Sequence, residues 1–455
     1  MTLDILIKNA LICTMNDDKK IFENGSIGIK DGKINFIEES YFNIEQYQAD
    51  EVINADGMVV MPGFVNTHIH IFQSFLKGLG ADHRLIEWLN LSALPYGEIM
   101  NPRQQYLAAQ LATMEALKSG CSTLDEFFYS NQDANLAYGV IDGMKSSGIR
   151  SVFIRTFQDT GEEYGMPKCF IEPISKVVKE VDSLRQKYKE DNEAEDDMLS
   201  IWTGPDVTWS TTKQGYEGIL EYCKSENVKY SMHILETEVD NAMCNKYYGV
   251  NIVEMLEEIG FLTEDFLGVH CVNLTKNDIE KFAKYNVNIS HNPAANMYLG
   301  SGVAPIPEAL KNGVNVSIGT DGAASNNSTD MLESLKLAAV IQKGFHRDAA
   351  IISADEVINM ATRGGAKAIG KENSIGTLEC GKKADIIIFN PDHLKSTPMH
   401  DPFATIVYSS GEENIDTTIV NGKIVYSKGI FRNGLDEEKL IYEIKEEIKN
   451  LKTKI

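Results

Sequence analysis

Between Val59 and about Gly370 the chain alternates short β-rich runs with helical stretches, and that alternation limits the possible folds more than any other feature. Eight runs carry the β signal: VVMPGFVNTH, STLDEFF, RSVFIRT, LSIWTGP, KYSMHI, GVHC, VNISH and VNVSIGTD. Helical stretches such as PRQQYLAAQLATMEALKSG and IVEMLEEIGF lie between most of them, each with glycine at or near its end. Alternating strand and helix calls for a parallel sheet, and eight units over this length call for a closed one. The expected fold class is therefore α/β, a (β/α)8 or TIM barrel. The charged stretch from Ile174 to Leu199 is expected to be a long surface helix leading into the fourth strand.

The two ends differ from this middle. ILIKNALICTM and SIGIKDGKINFIEE near the start, and ADIIIFN and TTIVNGKIVYSKG near the end, read as short strands. Asp31-Gly32 and Asn421-Gly422 are type I′ hairpin signals. Residues 1–58 and 371–455 are thus expected to meet in one small β-sandwich, with residues 59–370 forming the barrel. A charged amphipathic helix, DEEKLIYEIKEEIKNLKTKI, closes the chain.

Composition removes several classes. With 43 Lys and Arg against 66 Asp and Glu, the net charge is −23, which repels phosphate backbones and argues against nucleic acid as a partner. The longest apolar stretches fall short of the ~20 residues that a membrane span needs. No basic segment followed by an apolar one opens the chain, as an export signal would. The 7 cysteines are scattered, without a CxxC pair, as in a reducing compartment. A cytoplasmic enzyme is expected, assembled as a dimer or larger homo-oligomer.

Polar residues gather where such a barrel keeps its active site, at the C-terminal ends of the strands. His68 and His70 end the first run, Arg155 the third, Asp206 the fourth, His233 the fifth, His270 the sixth, His291 the seventh and Asp321 the eighth. Residues i and i+2 of a strand share a face, so His68 and His70 can reach one ion. His233 can supply a third nitrogen, leaving Glu236 in the following loop free to move protons. Asp321 can supply a carboxylate, or simply cap a helix. Three imidazoles and one carboxylate suit a single divalent ion per chain, Zn²⁺ first and Fe²⁺ second, with one position open.

The stretches MPGFVNTHIH, MHILET, GVHCVNL, SHNPAANMYLGSGVAPIPEAL, SIGTDGAASNNSTDM and IGTLECGKKADIIIFN together resemble the amidohydrolase superfamily. The similarity is to its branch of metal-dependent aminohydrolases, which holds atrazine chlorohydrolase, melamine deaminase and the methylthioadenosine/S-adenosylhomocysteine deaminases. The resemblance implies a distorted barrel with a β-sandwich built from both termini. It implies one metal on His68, His70, His233 and Asp321, with His270 close enough in some relatives to be a fifth ligand. Two-metal members carry a lysine at the end of the fourth strand, and LSIWTGPDV has none. In the reaction expected from this set, Asp321 takes a proton from the attacking water. Glu236 protonates the ring nitrogen and then the departing amine, and His270 hydrogen-bonds the attacking oxygen.

The substrate is expected to be a small nitrogen heterocycle with an amidine- or guanidine-like carbon, of the triazine, creatinine, pterin or pyrimidine type, losing ammonia. The nucleoside deaminases of the branch carry Pro-His after the fourth strand, where this chain has Pro205-Asp206. A methylthioadenosine or S-adenosylhomocysteine deaminase is the alternative, and a triazine chlorohydrolase stands behind both. Gln73, Trp88, Arg155, Asp206, Asn296 and Ser325 are the expected pocket residues, and His291 is expected to support the ligands from behind. His83, His346, His393 and His400 lie away from strand ends and are expected at the surface.

Overall fold

A computed structural model describes residues 2–40, 47–192 and 197–452. Strands β1 (Thr2–Cys13), β2 (Ile21–Lys30), β3 (Lys33–Glu39), β4 (Gln48–Asn54) and β5 (Val59–Pro62) come first. They are followed by β6 (Phe64–Ile69), β7 (Cys121–Phe128), β8 (Arg150–Phe157), β9 (Leu199–Pro205), β10 (Tyr230–Ile234), β11 (Phe266–His270), β12 (Asn288–His291) and β13 (Asn315–Ile318). The last four are β14 (Ile386–Phe389), β15 (Ile415–Val420), β16 (Lys423–Ser427) and β17 (Ile430–Phe431). Strands β6 to β13 close into a parallel barrel, β13 pairing back to β6 through Ile318 and Asn66. This is the α/β barrel that the alternation demands.

Both ends of the chain build the second module. It is one continuous nine-stranded sheet, with β5 hydrogen-bonded between β1 and β14. The run VVMPGFVNTH, read above as one strand, is two. Val59–Pro62 pairs within the terminal sheet, and the barrel starts at Phe64. Side chains alternate across the sheet as a pleat requires. Val60, Ile386 and Ile388 join the apolar core of the sheet, whereas Val59, Met61, Ile387 and Phe389 pack into the barrel's core. The charged stretch after Ile174 forms a helix over Ile174–Lys187 and a further turn over Lys189–Asn192; its remainder before Asp197 lies outside the described residues.

Both hairpin turns have the backbone that their sequences call for. Asp31 and Gly32 have φ of 49° and 75°, Asn421 and Gly422 of 48° and 71°, and a type I′ turn needs φ above zero at both positions. The two turns touch. A Cβ on Gly422 would lie 2.7 Å from the Cα of Gly32, so the approach depends on both glycines. A buried ion pair fastens the barrel to the sheet. Arg150 at the start of β8 donates from Nε and Nη2 to the carboxylate of Asp385, at 2.8 and 2.9 Å, and neither side chain is more than 1% exposed. Asp385 Oδ1 also accepts from the backbone N–H of Asn421 at the hairpin.

Candidate active site

The barrel's registry brings the strand-end residues to one point. His68 lies near the end of β6 and His70 just beyond it, where the backbone N–H of Ile71 donates to Glu126 Oε2 on β7 at 2.7 Å. Asp321 follows β13, and its N–H donates to the carbonyl of His68 at 2.9 Å, so barrel closure sets these two side by side. The N–H of His233 donates to the carbonyl of Asp206 after β9. Four residues beside these strand ends hold left-handed backbones without being glycine: Leu235 at φ 51°, His270 at 71°, Cys271 at 53° and Asp321 at 65°. Such conformations cost on the order of 1–3 kcal/mol each and persist where surrounding structure enforces them, commonly at functional sites.

Hydrogen bonds fix the tautomers. His70 Nδ1 donates to the Phe127 carbonyl at 2.8 Å, and His233 Nδ1 donates to the Asp206 carbonyl at 2.9 Å. Both Nε2 atoms therefore present lone pairs, yet they lie 3.2 Å apart. Asp321 Oδ1 lies 3.4 Å from His70 Nε2 and 3.6 Å from His68 Nε2, which is buried without a hydrogen-bond partner. Lone pairs so placed repel one another unless a cation stands between them. Donors ~2.0–2.1 Å from a tetrahedral ion would be roughly 3.3 Å from each other, so the donor set fits one ion. His270 Nε2 adds a further donor, 3.9 Å from Asp321 Oδ2.

Electrostatics agree with that fit. Burial holds the imidazoles of His68 and His70 below their ordinary value and brings His270 down to about 3. Burial alone would raise Asp321, but the neighbouring imidazoles of His68, His270 and His70 hold it low. Burial would likewise lower His233, but the carboxylates of Asp206, Glu236 and Asp321 raise it. Glu236 lies 3.8 Å from His270 Nε2 and is pushed up to about 8, by burial and then by the charge of Asp321. Its Oε1 accepts from Ser301 Oγ at 3.3 Å, and Asp240 anchors its backbone N–H at 2.8 Å.

Above the cluster opens a cavity of about 640 Å³, including its mouth. Gln73, Trp88, Asp206 and Ser325 line it. Trp88 also belongs to the core, 3% exposed, with Nε1 donating to the carbonyl of Ala324. Two expected pocket residues lie elsewhere. Arg155 is turned outward from the barrel into ion pairs with Glu172 and Glu180. Asn296 binds no pocket surface; its Oδ1 accepts from His270 Nδ1 at 2.9 Å, so it orients that ring. His291 is buried with neither ring nitrogen hydrogen-bonded and so holds no ligand in place. The loops add residues that sequence reasoning missed, among them Tyr129, Met166, Trp209 and Leu299, and the helix Val239–Tyr248 adds Asp240.

Residues 59–425 match the model of the amidohydrolase family. The chain belongs to that family. Full-length relatives of this amidohydrolase include a 5-methylthioadenosine/S-adenosylhomocysteine deaminase from Acetivibrio thermocellus, 32% identical over 98% of both chains. A 5'-deoxyadenosine deaminase from Methanosarcina acetivorans is 35% identical over 97% of this chain and 96% of its own. Among solved structures, the atrazine chlorohydrolase of Arthrobacter aurescens complexed with zinc superposes with a TM-score of 0.89 at 25% identity, covering 98% of this chain and 100% of the other.

Proposed function

We propose that this amidohydrolase is a metal-dependent deaminase that releases ammonia from the adenine ring of a nucleoside of the 5'-deoxyadenosine or methylthioadenosine type. The observation that carries the reaction class is the convergence of His68, His70, His233 and Asp321, with the buried carboxyl of Glu236 beside His270 at 3.8 Å. The relatives named above support the nucleoside, which the missing histidine after β9 had argued against. The apolar walls from Leu85, Trp88, Leu94, Met166 and Trp209 suit a planar base and an arm without a terminal hydroxyl.

His68, His70, His233 and Asp321 would hold the ion, with His270 within reach as a fifth ligand. The ion, once bound, supplies Lewis acidity that lowers the pKa of water to about 7. Asp321, held ionised by its imidazole neighbours, is placed to take a proton from the attacking water. Glu236 hands its own proton to the ring nitrogen beside the carbon under attack, then takes the hydroxyl proton of the adduct and passes it to the amine as it leaves, and the proton held by Asp321 returns to Glu236. Water thus adds, the C–N bond breaks, and a carbonyl and ammonia remain. His270 donates from Nδ1 to Asn296, so its Nε2 offers a lone pair. It therefore acts as an acceptor or ligand rather than as the donor expected from the sequence.

A second reading, a small guanidine-like ring, is favoured by Asp206, a carboxylate where nucleoside deaminases of the branch carry histidine. Ammonia release by the zinc-loaded protein from 5'-deoxyadenosine, methylthioadenosine, melamine and creatinine decides between them. Turnover of the nucleosides, lost on chelation and restored by one equivalent of Zn²⁺, is the expected result. Turnover of melamine or creatinine alone would put the second reading in its place.

A further inference from the structure

Past the nitrogen cluster, the cavity offers acceptors and no cation. Its lining contains no lysine or arginine among the described residues. Arg155, near the C-terminal end of β8, is spent on Glu172 and Glu180. Asp206 lines the cavity and is 5% exposed, with Oδ2 accepting from Gln158 Nε2 at 2.7 Å. Its Oδ1 lies 3.4 Å from His233 Nδ1, whose proton already goes to the Asp206 carbonyl. Gln73 is 1% exposed, and its amide nitrogen donates to Tyr129 Oη at 3.0 Å. Its Oε1 has no hydrogen-bond partner and belongs to a side chain that lines the cavity. Gly322 makes room for that oxygen, since a Cβ there would lie 2.0 Å from it.

Two acceptors are therefore held in place by other side chains, Asp206 by Gln158 and Gln73 by Tyr129. A buried acceptor without a donor is unfavourable, so such a pocket selects ligands that bring donors. Much of the outer wall is apolar (Leu85, Trp88, Leu89, Leu94, Met166), and its other carboxylates are Glu236, Asp240 and Asp321, so a carboxylate entering it would lose its hydration and meet Asp206 without a lysine or arginine beside it.

We propose that Asp206 and Gln73 read the non-reacting part of the substrate as a hydrogen-bond donor, and that the site excludes substrates whose remote arm carries a carboxylate. This rests on the nucleoside reading above. Among adenine nucleosides it assigns a neutral or cationic 5' arm to the substrate and disfavours the zwitterionic arm of S-adenosylhomocysteine.

The test is kcat/KM for ammonia release by the zinc-loaded protein on four nucleosides that differ in the 5' arm. They are 5'-deoxyadenosine, methylthioadenosine, 5'-amino-5'-deoxyadenosine and S-adenosylhomocysteine. S-Adenosylhomocysteine should fall at least about tenfold below methylthioadenosine. Asp206→Asn should narrow that gap and should lower the aminonucleoside relative to methylthioadenosine, a change of ratio that loss of structural support for His233 would not produce. S-Adenosylhomocysteine matching or exceeding methylthioadenosine in the parent enzyme overturns the proposal, even if the variant does not fold. Unchanged ratios in a folded Asp206→Asn variant overturn the role of Asp206. Failure of all four nucleosides, with melamine or creatinine turned over, overturns the nucleoside reading instead.

Discussion

At the scale of single residues, proton transfer and ring orientation separate cleanly. Glu236→Gln keeps the shape but has no proton to pass on. It should retain one equivalent of metal by elemental analysis while kcat falls ~10²–10⁴-fold. Near-parental kcat in that variant would remove Glu236 from the mechanism. Asn296 touches His270 and not the cavity, so Asn296→Leu should lower kcat by roughly 10–100-fold and leave KM nearly unchanged, as loss of a ligand's supporting hydrogen bond does. A rise in KM alone would return Asn296 to the pocket. The cluster of strand-end imidazoles was legible because strand ends can be read from hydrophobic runs, and five of the chain's 9 histidines fall on them. Arg155 was misplaced for a physical reason. Every residue of β8 is buried, so the strand shows no alternation to tell its inward face from its outward one. Tyr129, Met166 and Trp209 come from loops, where no periodicity marks a side chain's direction.

At the scale of elements, sequence is most reliable where a conformation has a dedicated residue type. Asp-Gly and Asn-Gly specify the two hairpin turns, and both form. The left-handed Leu235, His270 and Asp321 could not be foreseen, because leucine has no such preference, the mild one of Asp and His marks no particular position, and only the closed barrel enforces them. Helix caps allow a direct test. Asp330 caps the helix Met331–His346 by accepting from the N–H of Leu332 at 2.8 Å. Burial raises its carboxyl from 3.8 to about 6. Between those values the folded chain holds a proton that the unfolded chain has released, so stability falls as pH rises through the window. Asn caps as well as Asp and has no charge to desolvate. Asp330→Asn should therefore exceed the parent by on the order of 1 kcal/mol in denaturant unfolding at about pH 7.5, and the difference should vanish at about pH 4. A variant less stable than the parent at the higher pH would show that the cap needs the charge.

At the scale of the whole molecule, the buried Arg150–Asp385 ion pair helps join the two modules. Asp385→Ala takes the carboxylate from a buried guanidinium, so it should cost about 3–5 kcal/mol. The variant should lose its cooperative melt well below the parent's Tm, and an unchanged Tm would mean that the pair carries no net stability. The two-module plan was legible from the strand-rich ends, but the boundary was not, because Gly63 lies inside an unbroken apolar run. The position of β5 has a consequence for how the protein is made. Residues 59–62 leave the ribosome early, already able to pair with β1, but their second edge belongs to β14. That edge stays open while the barrel strands are synthesised and is covered only when residues 386–389 follow. An open apolar edge is a template for a second nascent chain. Every chain halted inside the barrel therefore carries a sticky edge that the finished protein has lost.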